Sequence, residues 1–178
     1  GLGLNGTVYS LAITGTDVYV GGNFTTAGGA AANYIAKWNG TSWTELGSGL
    51  DAGVNSLAIT GTDVYVGGSF TTAGGAAANR IAKWNGTSWT ALGSGLNNNV
   101  NSLAITGTDV YVGGYFTTAG GAAANCVAKW NGTSWTALGS GLNNYVLSLA
   151  ITGTDVYVGG AFTRSEERRV GKGRRSRW

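Results

Sequence analysis

A stretch of 46 residues, positions 54–99, reads VNSLAITGTDVYVGGSFTTAGGAAANRIAKWNGTSWTALGSGLNNN and recurs almost unchanged on either side of itself. Its copy at 8–53 departs from it at seven positions and its copy at 100–145 at four, while a fourth copy starts at Val146 and leaves the pattern after Thr163. A fixed period of this length restricts the chain to supersecondary units that repeat in space and bury their faces on one another. Residues 1–7 extend the pattern backwards, because Gly1, Gly3, Leu4 and Asn5 match Gly93, Gly95, Leu96 and Asn97. The chain is therefore expected to begin inside the end of an earlier repeat, with further repeats on both sides in the native protein.

Within one repeat, turn residues separate four short apolar runs of strand length. VNSLAIT (54–60) comes first, and Gly61-Thr62 with Asp63 turns the chain back into VYVGGSF (64–70). A longer loop, TTAGGAAAN (71–79), leads to RIAKW (80–84), and Asn85-Gly86 then supplies the positive-φ pair of a tight hairpin before TSWTALG (87–93). Four antiparallel strands per repeat follow from this punctuation.

Alternation places Leu57 and Ile59 on one face of the first strand and Ser56 and Ala58 on the other. In the third and fourth runs Ala82, Trp84 and Trp89 share one face while Ile81 and Leu92 share the opposite one. A sheet that is apolar on both sides has to be covered on both sides, and a four-stranded unit repeated every ~40–50 residues does so by stacking radially as a propeller blade. Trp84 and Trp89 are expected to lie buried between blades and to dominate the stacking, each burying ~150–250 Å². The expected architecture is all-β: a β-propeller fragment of four-stranded antiparallel blades at 8–53, 54–99 and 100–145, with half a fourth at 146–163, forming an open arc. Three and a half units cannot close a ring that takes four to eight blades, so further blades or self-association are expected to complete it.

VYVGG followed by an aromatic, and then AKWNGTSWTALG, resembles the kelch repeat, in which an apolar strand ends in a double glycine and two aromatics follow a few residues apart. The matching residues are Gly21-Gly22, Gly67-Gly68, Gly113-Gly114 and Gly159-Gly160, with the pairs Trp38/Trp43, Trp84/Trp89 and Trp130/Trp135. The first aromatic is Trp where kelch repeats usually carry Tyr, and the spacing is slightly shorter, so the array is kelch-like. It is also similar to arrays in bacterial secreted and surface proteins and to the fungal cortical polarity-marker propeller family. The resemblance covers residues 1–163 and implies the propeller fold and an extracellular or cell-surface location; propellers host many unrelated activities, so it implies little about function.

After Thr163 the repeat requires TAGGAAAN, but the chain reads RSEERRVGKGRRSRW (164–178). This tail resembles the conceptual translation of a sequencing adapter over 164–172 and again over 175–178, and it is expected to be non-native and disordered; a functional basic tail is the rival reading. It carries seven Lys/Arg and two Glu, so of the chain's 11 Lys/Arg and 8 Asp/Glu the rest holds four against six. The net +3 of the whole chain thus belongs to the tail. The repeats offer no basic stripe for nucleic acid, and no apolar run is long enough to span a membrane.

Composition removes most catalytic chemistry. The chain has no His, which excludes Ser-His-Asp and Cys-His catalysis and His-bearing zinc or copper sites. Cys126 occupies the position of Tyr34 and Arg80, and reads as a drifted position rather than a nucleophile. Asp17, Asp63, Asp109 and Asp155 each follow Gly-Thr with no second acid alongside, which suits a turn better than calcium. Asn39, Asn85 and Asn131 open Asn-Gly-Thr triplets that match both an N-glycosylation acceptor and a hairpin turn; the turn is the reading adopted. No catalytic residue, metal site or cofactor is expected.

The copies disagree at Tyr9/Asn55/Asn101/Leu147, Asn23/Ser69/Tyr115/Ala161, Tyr34/Arg80/Cys126, Ile35/Ile81/Val127, Glu45/Ala91/Ala137 and in the linkers 51–53, 97–99 and 143–145. In an antiparallel blade all of these fall at one edge, while the opposite edge is constant. A variable rim on a constant scaffold is where a binding surface would sit, with drift at positions of no packing weight as the alternative. Tyr9, Asn23, Tyr34, Asn55, Ser69, Arg80, Asn101 and Tyr115 are the candidate ligand-binding residues, suited to sugars or polar protein surfaces. The expected function is a non-enzymatic module that binds a protein or glycan; the alternatives are a structural spacer array, or the non-catalytic part of a propeller enzyme such as a glycosidase or lyase.

Overall fold

The computed structural model describes residues 3–153, 155–163 and 176–177. Its described residues form three four-stranded antiparallel sheets and part of a fourth, numbered I to IV, with no helix among them. Sheet II shows the pattern: Val54–Thr60 at one edge pairs with Asp63–Gly68, which pairs with Ile81–Trp84, which pairs with Trp89–Ala91. Sheet I repeats it with Thr7–Thr14, Asp17–Asn23, Ile35–Trp38 and Trp43–Glu45, and sheet III with Val100–Thr106, Asp109–Gly114, Val127–Trp130 and Trp135–Ala137. Sheet IV consists of Val146–Thr152, Asp155–Gly160 and the two residues Ser176–Arg177.

That last pairing, Arg177 with Tyr157 and Ser176 with Val158, places part of the tail on an edge that the repeat count leaves bare. Residues 164–175 and 178 lie outside the described residues, and with them the expectation of disorder. Sheets I to III each bury both faces or one, and among the described residues nothing closes the series: it is the open, unclosed arrangement that three and a half repeats imply.

The alternation fixes the faces as expected. Leu57, Val64, Val66 and Ala82 of sheet II pack against Ile35, Leu46 and Leu50 of the preceding repeat. Ile81, Leu92 and Leu96 form the opposite side, against Val100, Leu103, Val110, Val112 and Ala128 of sheet III. Each interface thus has a trailing half from one repeat and a leading half from the next.

The tryptophans do not dominate these cores. Trp84 and Trp89 are half-buried, facing each other across the last two strands with ring centroids 5.3 Å apart. Fully enclosed are Phe70, Val54, Val64, Val66 and Ile81, all smaller side chains. The outer hairpin lies at the periphery, where a large ring covers the core from one side and the Trp89 indole N–H reaches back to Leu46 O of sheet I at 2.8 Å.

Two turns also differ from the sequence expectation. The Asn85-Gly86 hairpin is a four-residue loop in which Gly86 alone has positive φ (98°); Asn85 Oδ1 instead accepts from the Thr87 and Ser88 N–H groups at 3.0 and 2.8 Å. The stretch read as a loop contains a small ribbon, Thr72–Ala73 paired with Ala76–Ala77. Asp63 begins a strand and forms an ion pair with Lys83 at 2.9 Å, as Asp109 does with Lys129 at 2.9 Å and Asp17 with Lys37 at 3.1 Å, so these carboxylates have a cation on the neighbouring strand.

Candidate functional site

The double glycine creates the rim. Val54 pairs with Gly68 and Ser56 with Gly67, leaving Asn55 as the extra residue of a β-bulge; the same shift occurs at Tyr9, Asn101 and Leu147. A side chain on Gly68 would run into the backbone carbonyl of Gly53, so only glycine allows this approach. A bulge re-aims the side chain it carries, and here the result is a contact between sheets. Asn55 Nδ2 donates to Val100 O at 2.9 Å, and Asn101 Nδ2 donates to Val146 O at 2.7 Å. Two candidate binding residues are therefore half-buried with an amide hydrogen engaged by the next sheet.

The Tyr34/Arg80/Cys126 position is left-handed in every copy, with φ of 66°, 68° and 64°. A bulky residue rarely adopts this conformation, at a cost of roughly 1–2 kcal/mol. Backbone bonds impose it: the Arg80 N–H donates to Phe70 O at 2.9 Å and Arg80 O accepts from the Gly68 N–H at 3.0 Å, with matching pairs at Tyr34 and Cys126. The side chains are held inward rather than presented on an open rim. Arg80 Nη1 donates to Ser69 O, Tyr34 packs against the sheet I/II core, and Cys126 is 8% exposed with its thiol pushed up by burial. Ser69 Oγ in turn donates to Gly53 O at 3.3 Å. Asn55, Ser69 and Arg80, which the sequence offers as residues of a binding rim, are half-buried because each finds a partner that only the folded neighbours supply.

Three candidates do face outward: Tyr9, Asn23 and Tyr115. Tyr9 and Asn23 lie at the same edge of sheet I, where Thr7 pairs with Asn23. Tyr115, 55% exposed, stacks on Tyr145 with centroids 5.1 Å apart and planes 26° from parallel. Tyr145 leads into sheet IV while Tyr115 directly follows the second strand of sheet III, so the pair spans the junction of the two. The corresponding positions are Asn23 and Gly53 at the first junction and Ser69 and Asn99 at the second. Tyr145 was absent from the candidate set; its place in a variable linker was visible, its partner 30 positions upstream was not.

The linkers carry a second recurring device. Asp51 Oδ1 accepts from the Thr71 and Thr72 N–H groups at 2.7 and 2.9 Å, and Oδ2 accepts from the Thr71 hydroxyl at 2.6 Å. Asn5 and Asn97 clasp Thr25-Thr26 and Thr117-Thr118 through the same two backbone N–H groups, but their Nδ2 donates to the Thr25 or Thr117 hydroxyl oxygen, reversing the side-chain bond. The Asp51/Asn97 difference therefore preserves one structural role. Burial pushes the Asp51 carboxyl up, but the Thr71 and Thr72 donors outweigh it and hold the group below the usual aspartate range.

Among the described residues no group of three His, Cys, Asp or Glu stands close enough to hold a metal ion. No helix among them is long and apolar enough to cross a membrane. A polar groove of about 310 Å³, lined by Asn79, Arg80, Ser94, Asn97 and Thr118, opens where sheets II and III meet. A larger apolar groove of about 890 Å³ lies on the uncovered face of sheet I, against Leu4, Val8, Leu11, Val18, Trp38 and Trp43.

No protein family matches the chain, and no curated protein does either. Among solved structures it is similar to the computationally designed Ika4 protein, at a TM-score of 0.62 and 15% identity over 99% of this chain and 92% of that one. The designed Ika8 protein aligns with 85% of this chain over 67% of its own, at a TM-score of 0.42 and 15% identity, too loosely to bear on the fold. What the likeness to Ika4 establishes is the fold alone: the chain is built as a repeat array of four-stranded antiparallel sheets, in the manner of a β-propeller.

Proposed function

We propose that the chain is a non-enzymatic binding module that recognises a protein or glycan at the variable rim, in the setting of a secreted or surface kelch-like array. The stacked Tyr115–Tyr145 pair carries this reading. Two stacked phenol rings, Tyr115 exposed and Tyr145 half-buried beneath it, offer an apolar platform with hydroxyl groups at its margin, which suits the face of a sugar ring or a polar protein surface. Tyr9 and Asn23 supply a smaller feature of the same kind at sheet I. The non-enzymatic part rests on the absence of His from the sequence and on the burial that disfavours the Cys126 thiolate.

Screening the chain against glycan and protein arrays, followed by titration of each hit with Tyr115→Ala and Tyr145→Ala, tests the proposal. Each substitution should weaken binding about tenfold or more, in line with loss of a stacking contact and its buried area. Binding that both variants leave intact would remove the platform from the site. A structural spacer is the second reading, favoured by the inward bonds of Asn55, Asn101 and Arg80; arrays without any hit would support it.

A further inference from the structure

The same interface occurs three times along the chain, and its two unmatched halves remain at the ends. On the leading side, Val54 is 0% and Leu57 7% exposed against sheet I, and Val100 and Leu103 are 0% and 6% exposed against sheet II. Their counterparts in sheet I are Val8, Leu11 and Ile13, at 38%, 61% and 69%. On the trailing side, Gly21, Gly67 and Gly113 each leave room for the valine of the next sheet, and a Cβ at Gly67 would come within 2.5 Å of Val100 Cγ1. At Gly159 no described residue lies within 4 Å of that place. Ser10, Ser56 and Ser102 accept the backbone N–H of Leu57, Leu103 and Leu149, each at 3.0 Å. Ser148, the next in the series, is exposed.

We infer that the leading face of sheet I docks on the trailing face of sheet IV of a second copy of this chain, and reciprocally, closing two arcs into one ring. The occupant is a second copy because the complementarity already exists between repeats: Gly159 provides the slot for Val8, Ser148 Oγ the acceptor for the Leu11 N–H, and Ala150 the small surface beside Leu11 and Ile13. Neither inner-strand face carries a charged side chain at these positions, so apposition buries no unpaired ion. A head-to-tail contact closes into a ring when its rotation allows and otherwise runs on as a filament; four sheets from each copy match the upper end of known blade numbers.

Sedimentation velocity at micromolar concentration tests this. The expected species is a dimer of twice the 18.0 kDa chain mass. Gly159→Leu, whose new side chain starts clear of every described residue, should convert it to monomer, and Leu11→Glu on the other face should do the same. Mixing the two variants should restore a dimer, because one of the two junctions is then wild-type on both sides. Circular dichroism checks that each variant retains the wild-type sheet signal. A wild-type chain that stays monomeric overturns the inference, and so does a ladder of species beyond the dimer. A dimer lost with Leu11→Glu but untouched by Gly159→Leu also overturns it, since that pattern belongs to two leading faces meeting each other.

Discussion

Replacing Gly67 by Ala adds one methyl group at the tightest point between sheets II and III. The new Cβ would stand 2.5 Å from Val100 Cγ1, 3.1 Å from Val100 Cβ and 3.2 Å from Leu103 Cδ2. Val100 is 0% exposed and rests on the core that also holds Ile81 and Leu96, so it has nowhere to retreat without opening the stack. Overpacking of this kind costs ~1–3 kcal/mol. Gly67 has ordinary strand geometry, and Ala there recovers ~0.5–1 kcal/mol of the chain entropy that glycine loses on folding. The net expectation is a loss of about 1–2 kcal/mol. Gly159→Ala has the second effect without the first, and is expected to be neutral or to stabilise by up to ~0.5–1 kcal/mol. Both substitutions are best compared by urea unfolding on the Leu11→Glu background, where chains are expected to remain single and an added Cβ at Gly159 meets no described residue, reading the shift in midpoint at unchanged slope. Because each sheet in such an array touches only its neighbours, the cost at Gly67 should register as a weakened II/III junction. Equal effects of the two substitutions would refute the argument that the first glycine of each pair exists to admit the next sheet's valine.

The Asp51 clasp makes one linker sensitive to acid. Its folded carboxyl titrates below the unfolded value, so its contribution is complete above roughly pH 4 and is lost as pH falls through the folded value. Asp51→Asn, which restores the residue found at Asn97, should flatten the fall in urea midpoint between pH 6 and pH 3; parallel curves for the two proteins would contradict this. Trp89→Phe removes the indole donor to Leu46 O and should cost ~0.5–1.5 kcal/mol. Trp43→Phe, at the equivalent place in sheet I with no described sheet before it, should cost less, a contrast that chemical denaturation of the two variants measures directly.

The repeat alone determined most of the fold. Apolar runs broken by Gly-Thr-Asp and Asn-Gly set four strands, and Val54–Thr60 and Ile81–Trp84 fall inside or on the boundaries read from them. Period-2 alternation placed Ile81 and Ala82 on opposite faces, and because both were apolar it followed that sheets must cover sheets. The open ends followed as well, since the count of repeats is a property of the sequence. What the alternation could not specify was the neighbour each side chain would meet. Asn55 looked like a free rim residue because its acceptor, Val100 O, lies one repeat away and is brought close only by stacking. The left-handed backbone at Arg80 had no signal in its residue type, since Tyr, Arg and Cys share no preference for it; hydrogen bonds to Phe70 and Gly68 impose it from outside. Trp84 and Trp89 looked like core by size, yet their strands lie at the periphery, and burial depends on a strand's place in the sheet as well as on hydrophobicity. The Tyr115–Tyr145 platform belongs to the same class: two ordinary tyrosines in sequence, joined only because two sheets meet at that rim.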